Sequence, residues 1–120
     1  MSEDYNFWYE RAKKDFDTAK YNIDGKKLDA GIFFLQQSVE KALKSLYIKR
    51  FDKLFKTHDL VALARKLKAP DEILVFCKKL NPAYQYTRYP DIIEVLDLDS
   101  KAEEFISYVM EVLEWVKKNL

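Results

Sequence analysis

Helix breakers are scarce in this sequence, with two glycines and three prolines in 120 residues. A β-sandwich or barrel of this length needs many more turn residues, because each strand must be followed by a reversal. The chain has few places to turn. It is therefore expected to be all-α, a few long helices joined by short connections. Its length suits one domain with one sizeable core, and the sequence contains no repeat, low-complexity tract or linker that would divide residues 1–120.

Apolar periodicity places the helices. Tyr5, Trp8, Ala12, Phe16, Ala19 and Ile23 recur at steps of three or four, which predicts a first helix from about Ser2 to Asp24. Ser2 is its expected cap, and Gly25 is expected to end it in the left-handed conformation. A second helix is predicted from about Leu28 to Arg50 on Leu28, Ile32, Leu35, Val39, Ala42 and Leu46, widened by Ala30, Phe33, Phe34 and Leu43. A helix apolar over so much of its circumference belongs at the centre of the fold or in an interface. Phe51–Lys56 reads as a connection. Thr57 is the expected cap of a short helix carrying Leu60, Leu63, Ala64 and Leu67. Pro70 is expected in the first turn of a fourth helix, with Ile73, Cys77 and Leu80 inward. Asn81-Pro82 breaks it, and Ala83–Tyr86 can add a turn. Thr87–Asp99 is the least regular stretch. The last helix is expected to start at Ser100, which stands at capping-box spacing from Glu103 and precedes the stripe Phe105, Val109, Val112, Val116 and Leu120.

Several function classes lose support on composition. No apolar run reaches the ~18 residues that span a bilayer. The N-terminus is acidic where a secretion signal is basic. One cysteine, Cys77, allows no internal disulfide and fits a reducing interior, so a cytoplasmic location is expected. The formal net charge is only +1, but it is polarised along the chain. Lys41 to Lys68 holds nine basic residues against two acidic ones, and Asp91 to Glu114 holds eight acidic residues against Lys101 alone. Two solvated faces that pair with each other would explain this, and so would a basic patch for phosphate.

The sequence has one histidine, so the usual catalytic constellations are hard to assemble. A zinc site would have to combine His58 and Cys77 with two carboxylates at no recognised spacing. No glycine-rich phosphate loop is present, and nothing marks a nucleophile beside His58. No metal and no cofactor is expected. Three stretches remain. In Lys56-Thr57-His58-Asp59-Leu60 the histidine sits at a helix start, where backbone N–H groups and Lys56 attract anions, or it merely fills the first turn. In Tyr86-Thr87-Arg88-Tyr89-Pro90-Asp91 a guanidinium between phenols can clasp a phosphate or stack on a base, or Arg88 pairs with Asp91 while the tyrosines wedge a loop in place. In Gln36-Gln37-Ser38-Val39-Glu40-Lys41-Ala42-Leu43-Lys44, Gln37, Lys41 and Lys44 share a face, either for a ligand or as a solvated side with glutamines satisfying each other across an interface.

Trp8, Ala12, Asp15 and Ala19 on the first helix, followed in order by Phe34-Leu35-Gln36-Gln37-Ser38-Val39-Glu40-Lys41-Ala42-Leu43-Lys44, Lys56-Thr57-His58-Asp59-Leu60 and Arg88-Tyr89-Pro90-Asp91, resemble the HEPN domain, named for higher eukaryote and prokaryote nucleotide-binding. The resemblance covers almost the whole chain. It implies an up-and-down bundle of four to five helices, usually a homodimer, and a frequent partnership with a minimal nucleotidyltransferase, often as a toxin–antitoxin pair. Some members are metal-independent ribonucleases with an arginine followed, after four to six residues, by histidine. Here seven residues separate Arg50 from His58, and no histidine follows Arg65 or Arg88. The leading expectation is a nucleotide- or phosphate-binding module. Lys41, Lys44, Lys56 and Arg88 would hold phosphate, His58 would donate a hydrogen bond, and Tyr86 or Tyr89 would stack. The alternatives are a ribonuclease using His58 with Arg88 or Arg50, and a structural dimer without ligand.

Overall fold

A computed structural model of the chain describes residues 4–81 and 98–120, the side chains of 98–100 excepted. Among these residues the fold is all-α, an up-and-down bundle of five helices: α1 (Tyr5–Asp24), α2 (Leu28–Phe51), α3 (Leu60–Lys66), α4 (Asp71–Leu80) and α5 (Leu98–Asn119). The expected Ala83–Tyr86 turn and most of the Thr87–Asp99 stretch fall outside the described residues.

The helix ends differ from the sequence reading in instructive ways. Asp4 caps α1, its carboxylate accepting from the Asn6 N–H, whereas the expected cap, Ser2, lies outside the described residues. Gly25 follows α1 but keeps φ at −83°, and the left-handed residue of that turn is Lys26 at φ 64°. Helix α2 runs to Phe51, one residue past the expected end, and Asp52 closes it in the left-handed conformation. The cap of α3 is Asp59, not Thr57: its Oδ1 accepts from the Val61 and Ala62 N–H groups, while Thr57 Oγ1 accepts from the Asp59 N–H just before the helix. A carboxylate is the stronger acceptor for amides carrying the positive end of the helix dipole. Pro70 stands just before α4 rather than in its first turn, and α5 begins at Leu98, two residues before Ser100.

Helix α2 is the axis of the bundle. Fourteen of its residues are buried, among them Ile32, Leu35, Val39, Leu43 and Leu46, and it packs on α1, α3 and α5. Most of its wide apolar surface is thus covered inside the chain, although Phe51 at its end is 46% exposed. A single apolar cluster links all five helices. No helix among the described residues is long and apolar enough to cross a membrane.

Helices α1 and α2 run antiparallel, as the pairs Asp15–Lys41, Ala12–Ser38 and Tyr5–Lys49 show. Small residues at seven-residue spacing, Ala12 and Ala19 on one helix and Gly31, Ser38 and Ser45 on the other, bring the two backbones close. Ser38 Oγ donates to the Ala12 carbonyl at 2.7 Å. A Cβ built on Gly31 would lie 2.4 Å from Ile23 Cγ1 and 3.2 Å from the Ala19 carbonyl oxygen. Alanine is the better helix former by roughly 1 kcal/mol. The obstruction is the stem of a stiff β-branched side chain with backbone behind it, so overpacking wins. Gly31→Ala is expected to lower stability by about 1–3 kcal/mol, read as a lower midpoint in urea; an unchanged or raised midpoint would mean the helices separate easily here.

Candidate functional site

A chain of buried polar groups runs through the apolar centre of α2. Glu40 is 4% exposed and Lys44 7%, and Lys44 Nζ lies 3.0 Å from Glu40 Oε2. They stand four residues apart with the acid first, the favourable order on a helix. The other carboxylate oxygen, Oε1, lies 3.0 Å from His58 Nδ1. Each oxygen of one buried carboxylate therefore has its own nitrogen partner, one on α2 and one from the loop before α3. Next along the helix, Lys41 Nζ lies 2.6 Å from Asp15 Oδ2, joining α2 to α1. The Lys44 ammonium also sits 6.0 Å from the centre of the Trp8 ring.

Glu40 orients the imidazole. A carboxylate accepts, so Nδ1 carries the proton and Nε2 is the ring's other polar atom. While Glu40 is sealed in the core, the His58 side chain is 62% exposed. The pair thus connects a buried anion to a ring at the surface. Neutral, such a ring offers a lone pair at Nε2; protonated, it offers a second N–H.

The backbone around His58 is fastened as well. Gln36 is fully buried; its Nε2 donates to the His58 carbonyl at 3.4 Å, and its Oε1 accepts from Gln37 Nε2 at 2.7 Å. The two glutamines are thus hydrogen-bonded to each other within one chain. Asn81, at the end of α4, accepts from the Leu60 N–H at 2.9 Å and donates to Asp59 Oδ1 at 3.0 Å.

This geometry changes the physical case for anion attraction at the start of α3. The Leu60, Val61 and Ala62 amides already donate to Asn81 and Asp59. That helix end is filled by the protein's own side chains.

The other expected residues divide clearly. Lys41 and Lys44 are brought into the cluster, but each faces a carboxylate. Lys56 is exposed, two residues before His58. Tyr86, Arg88 and Tyr89 lie outside the described residues, as does any pairing of Arg88 with Asp91. Arg50 is committed elsewhere: its guanidinium donates to the Leu67 carbonyl at 2.6 Å and to Asn119 Oδ1 at 3.4 Å. It stands ten residues beyond Glu40, roughly 15 Å along the helix axis. Among the described residues no ion pair joins the basic Lys41–Lys68 segment to the acidic residues of α5, and no group of His, Cys, Asp and Glu could hold a metal ion. Cys77 is buried in the core, which pushes its thiol up to about 12 and keeps it protonated.

The HEPN domain model matches residues 5–119. The chain belongs to the HEPN family. Two solved structures share the fold of this HEPN domain along nearly its full length. One is TT1696 from Thermus thermophilus, with 24% identity and a TM-score of 0.86 over 97% of this chain and 98% of the other. The second is ST0689, described as an archaeal HEPN homologue, with 26% identity and a TM-score of 0.79 over 97% of each chain. No curated protein matches the sequence.

Three members of the HEPN cluster were not singled out as site residues from sequence: Glu40, Asp15 and Asn81. Glu40 did carry a signal, since a charged pair at four-residue spacing on the apolar side of a helix implies a buried ion pair. Asp15 and Asn81 carried none, because their roles depend on how α1 crosses α2 and where α4 ends.

Proposed function

We propose that this HEPN domain is a binding module for the phosphate groups of a nucleotide or an RNA end. The observation that carries the reading is the His58 ring, held through Nδ1 by a buried carboxylate and exposed beyond it. In its protonated form the ring donates from Nε2 to a phosphate oxygen while Glu40 balances its charge. Lys56 adds an exposed cation nearby, and Arg88, Tyr86 and Tyr89 are proposed to supply a bidentate phosphate contact and a stacking surface. Lys41 and Lys44 enter as the cations that fix Asp15 and Glu40 rather than as ligand contacts.

Calorimetry with ATP at low salt tests this. Binding in the micromolar to millimolar range is expected, weakened by salt. His58→Ala is expected to reduce affinity about tenfold or more, the worth of a hydrogen bond to a charged group. No heat from any nucleotide, or equal affinity in the variant, would remove His58 from the site.

The family resemblance extends the proposal to a cytoplasmic homodimer that works with a minimal nucleotidyltransferase, as in toxin–antitoxin pairs. Light scattering at micromolar concentration is expected to give about twice 14.3 kDa; the monomer mass would remove the dimer. A second reading is favoured by the same Glu40–His58 pair. A neutral imidazole with its Nδ1 proton on a carboxylate can accept a 2′-OH proton at Nε2, the arrangement of an oriented general base. RNA cleavage in EDTA by the wild type, lost in His58→Ala, would put this ribonuclease reading first.

A further inference from the structure

Two amides from two different helices converge on the turn that carries His58. We infer that Gln36 and Asn81 are positioning residues for His58, holding the Thr57–Leu60 turn from α2 and from α4 so that the imidazole reaches Glu40 in a fixed orientation. The inference rests on the phosphate-site reading for its functional consequence, but not for its geometry.

The turn needs such fastening. Residues 53–59 form no helix, and His58 and Asp59 are both exposed. Packing alone would leave the ring several rotamers. Gln36 Nε2 instead holds the His58 carbonyl, and Gln37 Nε2 fixes the Gln36 amide by donating to its oxygen. Asn81 holds the next two residues, with its oxygen on the Leu60 N–H and its nitrogen on Asp59 Oδ1. Asp59 then holds Thr57 in return, its N–H donating to Thr57 Oγ1. Every residue of the turn is tied at the backbone or side chain.

Stability alone does not account for Gln36. Gln36 is fully buried, where an apolar side chain of the same size would avoid the desolvation of a primary amide. Asn81 completes the cap of α3 by accepting from the Leu60 N–H, and its amide nitrogen goes further, donating to Asp59 Oδ1. Asp59 already receives the Val61 and Ala62 amides, and the Leu63 N–H reaches the Asp59 carbonyl at 3.2 Å. What the two amides share is the turn they grip. Both hold it beside the Glu40 oxygen that takes the ring.

The test uses the single histidine, whose ring nitrogens give one unambiguous pair of resonances in 15N-labelled protein. Gln36→Met and Asn81→Leu remove the donors at similar volume. Both variants are expected to melt cooperatively with wild-type helix content, while their His58 ring resonances shift toward those of Glu40→Gln and broaden. ATP affinity is expected to fall about tenfold, the worth of a misplaced charged hydrogen bond. Asn81→Asp keeps the acceptor for Leu60 but turns the donor into a carboxylate facing Asp59, so it is expected to shift the ring as Asn81→Leu does without opening a cavity. It carries the test if the larger change disrupts folding. Wild-type ring resonances in Gln36→Met and in both Asn81 variants would overturn the inference. The ring spectra need no ligand, so failure of the wild type to bind ATP would overturn the phosphate-site reading and leave the positioning role to be decided by the spectra.

Discussion

Replacing Lys44 with alanine is expected to cost about 3–5 kcal/mol, a large fraction of the stability of a domain this size. The reason is the burial of its partner. The Lys44 and Glu40 side chains are 8% and 6% exposed, and an ionised carboxylate left there loses its ammonium without regaining water. His58 remains on the other oxygen, yet its ring is mostly in solvent and compensates weakly. Urea denaturation reads the loss directly. The double replacement Glu40→Leu with Lys44→Leu is expected to be neutral or stabilising, by up to about 4 kcal/mol, since apolar side chains fill the space without desolvating charge. A loss below about 1 kcal/mol for Lys44→Ala would mean that the pair is hydrated and screened. The contrast between single and double replacement matters for function. A pair that apolar residues could replace is not there for stability, and its remaining role is to orient His58.

Leu60→Ala is expected to cost about 2–5 kcal/mol, the range for a fully buried leucine. Its local consequence should be larger than its global one. Seven residues cannot hold a helix in water alone. Helix α3 exists because Leu60, Leu63 and Ala64 are buried in the core, with Leu67 just beyond its end. Leu60 is also the residue whose amide Asn81 holds, two positions after His58. Hydrogen exchange is expected to rise first in residues 57–67, before α2 or α5 opens. A loss under about 1 kcal/mol with unchanged exchange would show that the turn is held without its apolar anchor.

Much of the bundle could be read from the chain because helix periodicity is a local property. The stripes on α1 and α5 and the central place of α2 follow from side-chain spacing alone. The caps were less legible. Ser2, Thr57 and Ser100 are all good capping types, but an aspartate stood within two or three residues of the first two, and which acceptor closes a helix depends on where the chain enters it. Gly25 invited a left-handed residue that the turn placed at Lys26. In the site, His58 was visible as the sole histidine beside a helix start. Its partner was not, because Glu40 is eighteen residues away and meets it only through packing. Lys41 and Lys44 looked like available cations for the same reason: Asp15 lies on another helix, and Glu40 is solvated or buried according to what covers α2. Charge along a sequence is additive, whereas charge in a fold is already partly spent on neighbours.

The most direct measurement of the proposed site is a nucleotide titration followed at the His58 ring nitrogens. Nδ1 is committed to Glu40 and Nε2 is the atom proposed to meet phosphate, so ATP is expected to move the Nε2 resonance most, with saturation matching the calorimetric affinity and reversal by salt. Ring resonances that stay in place at saturating ATP, or an unchanged ATP affinity in His58→Ala, would contradict a phosphate site built on the Glu40–His58 pair.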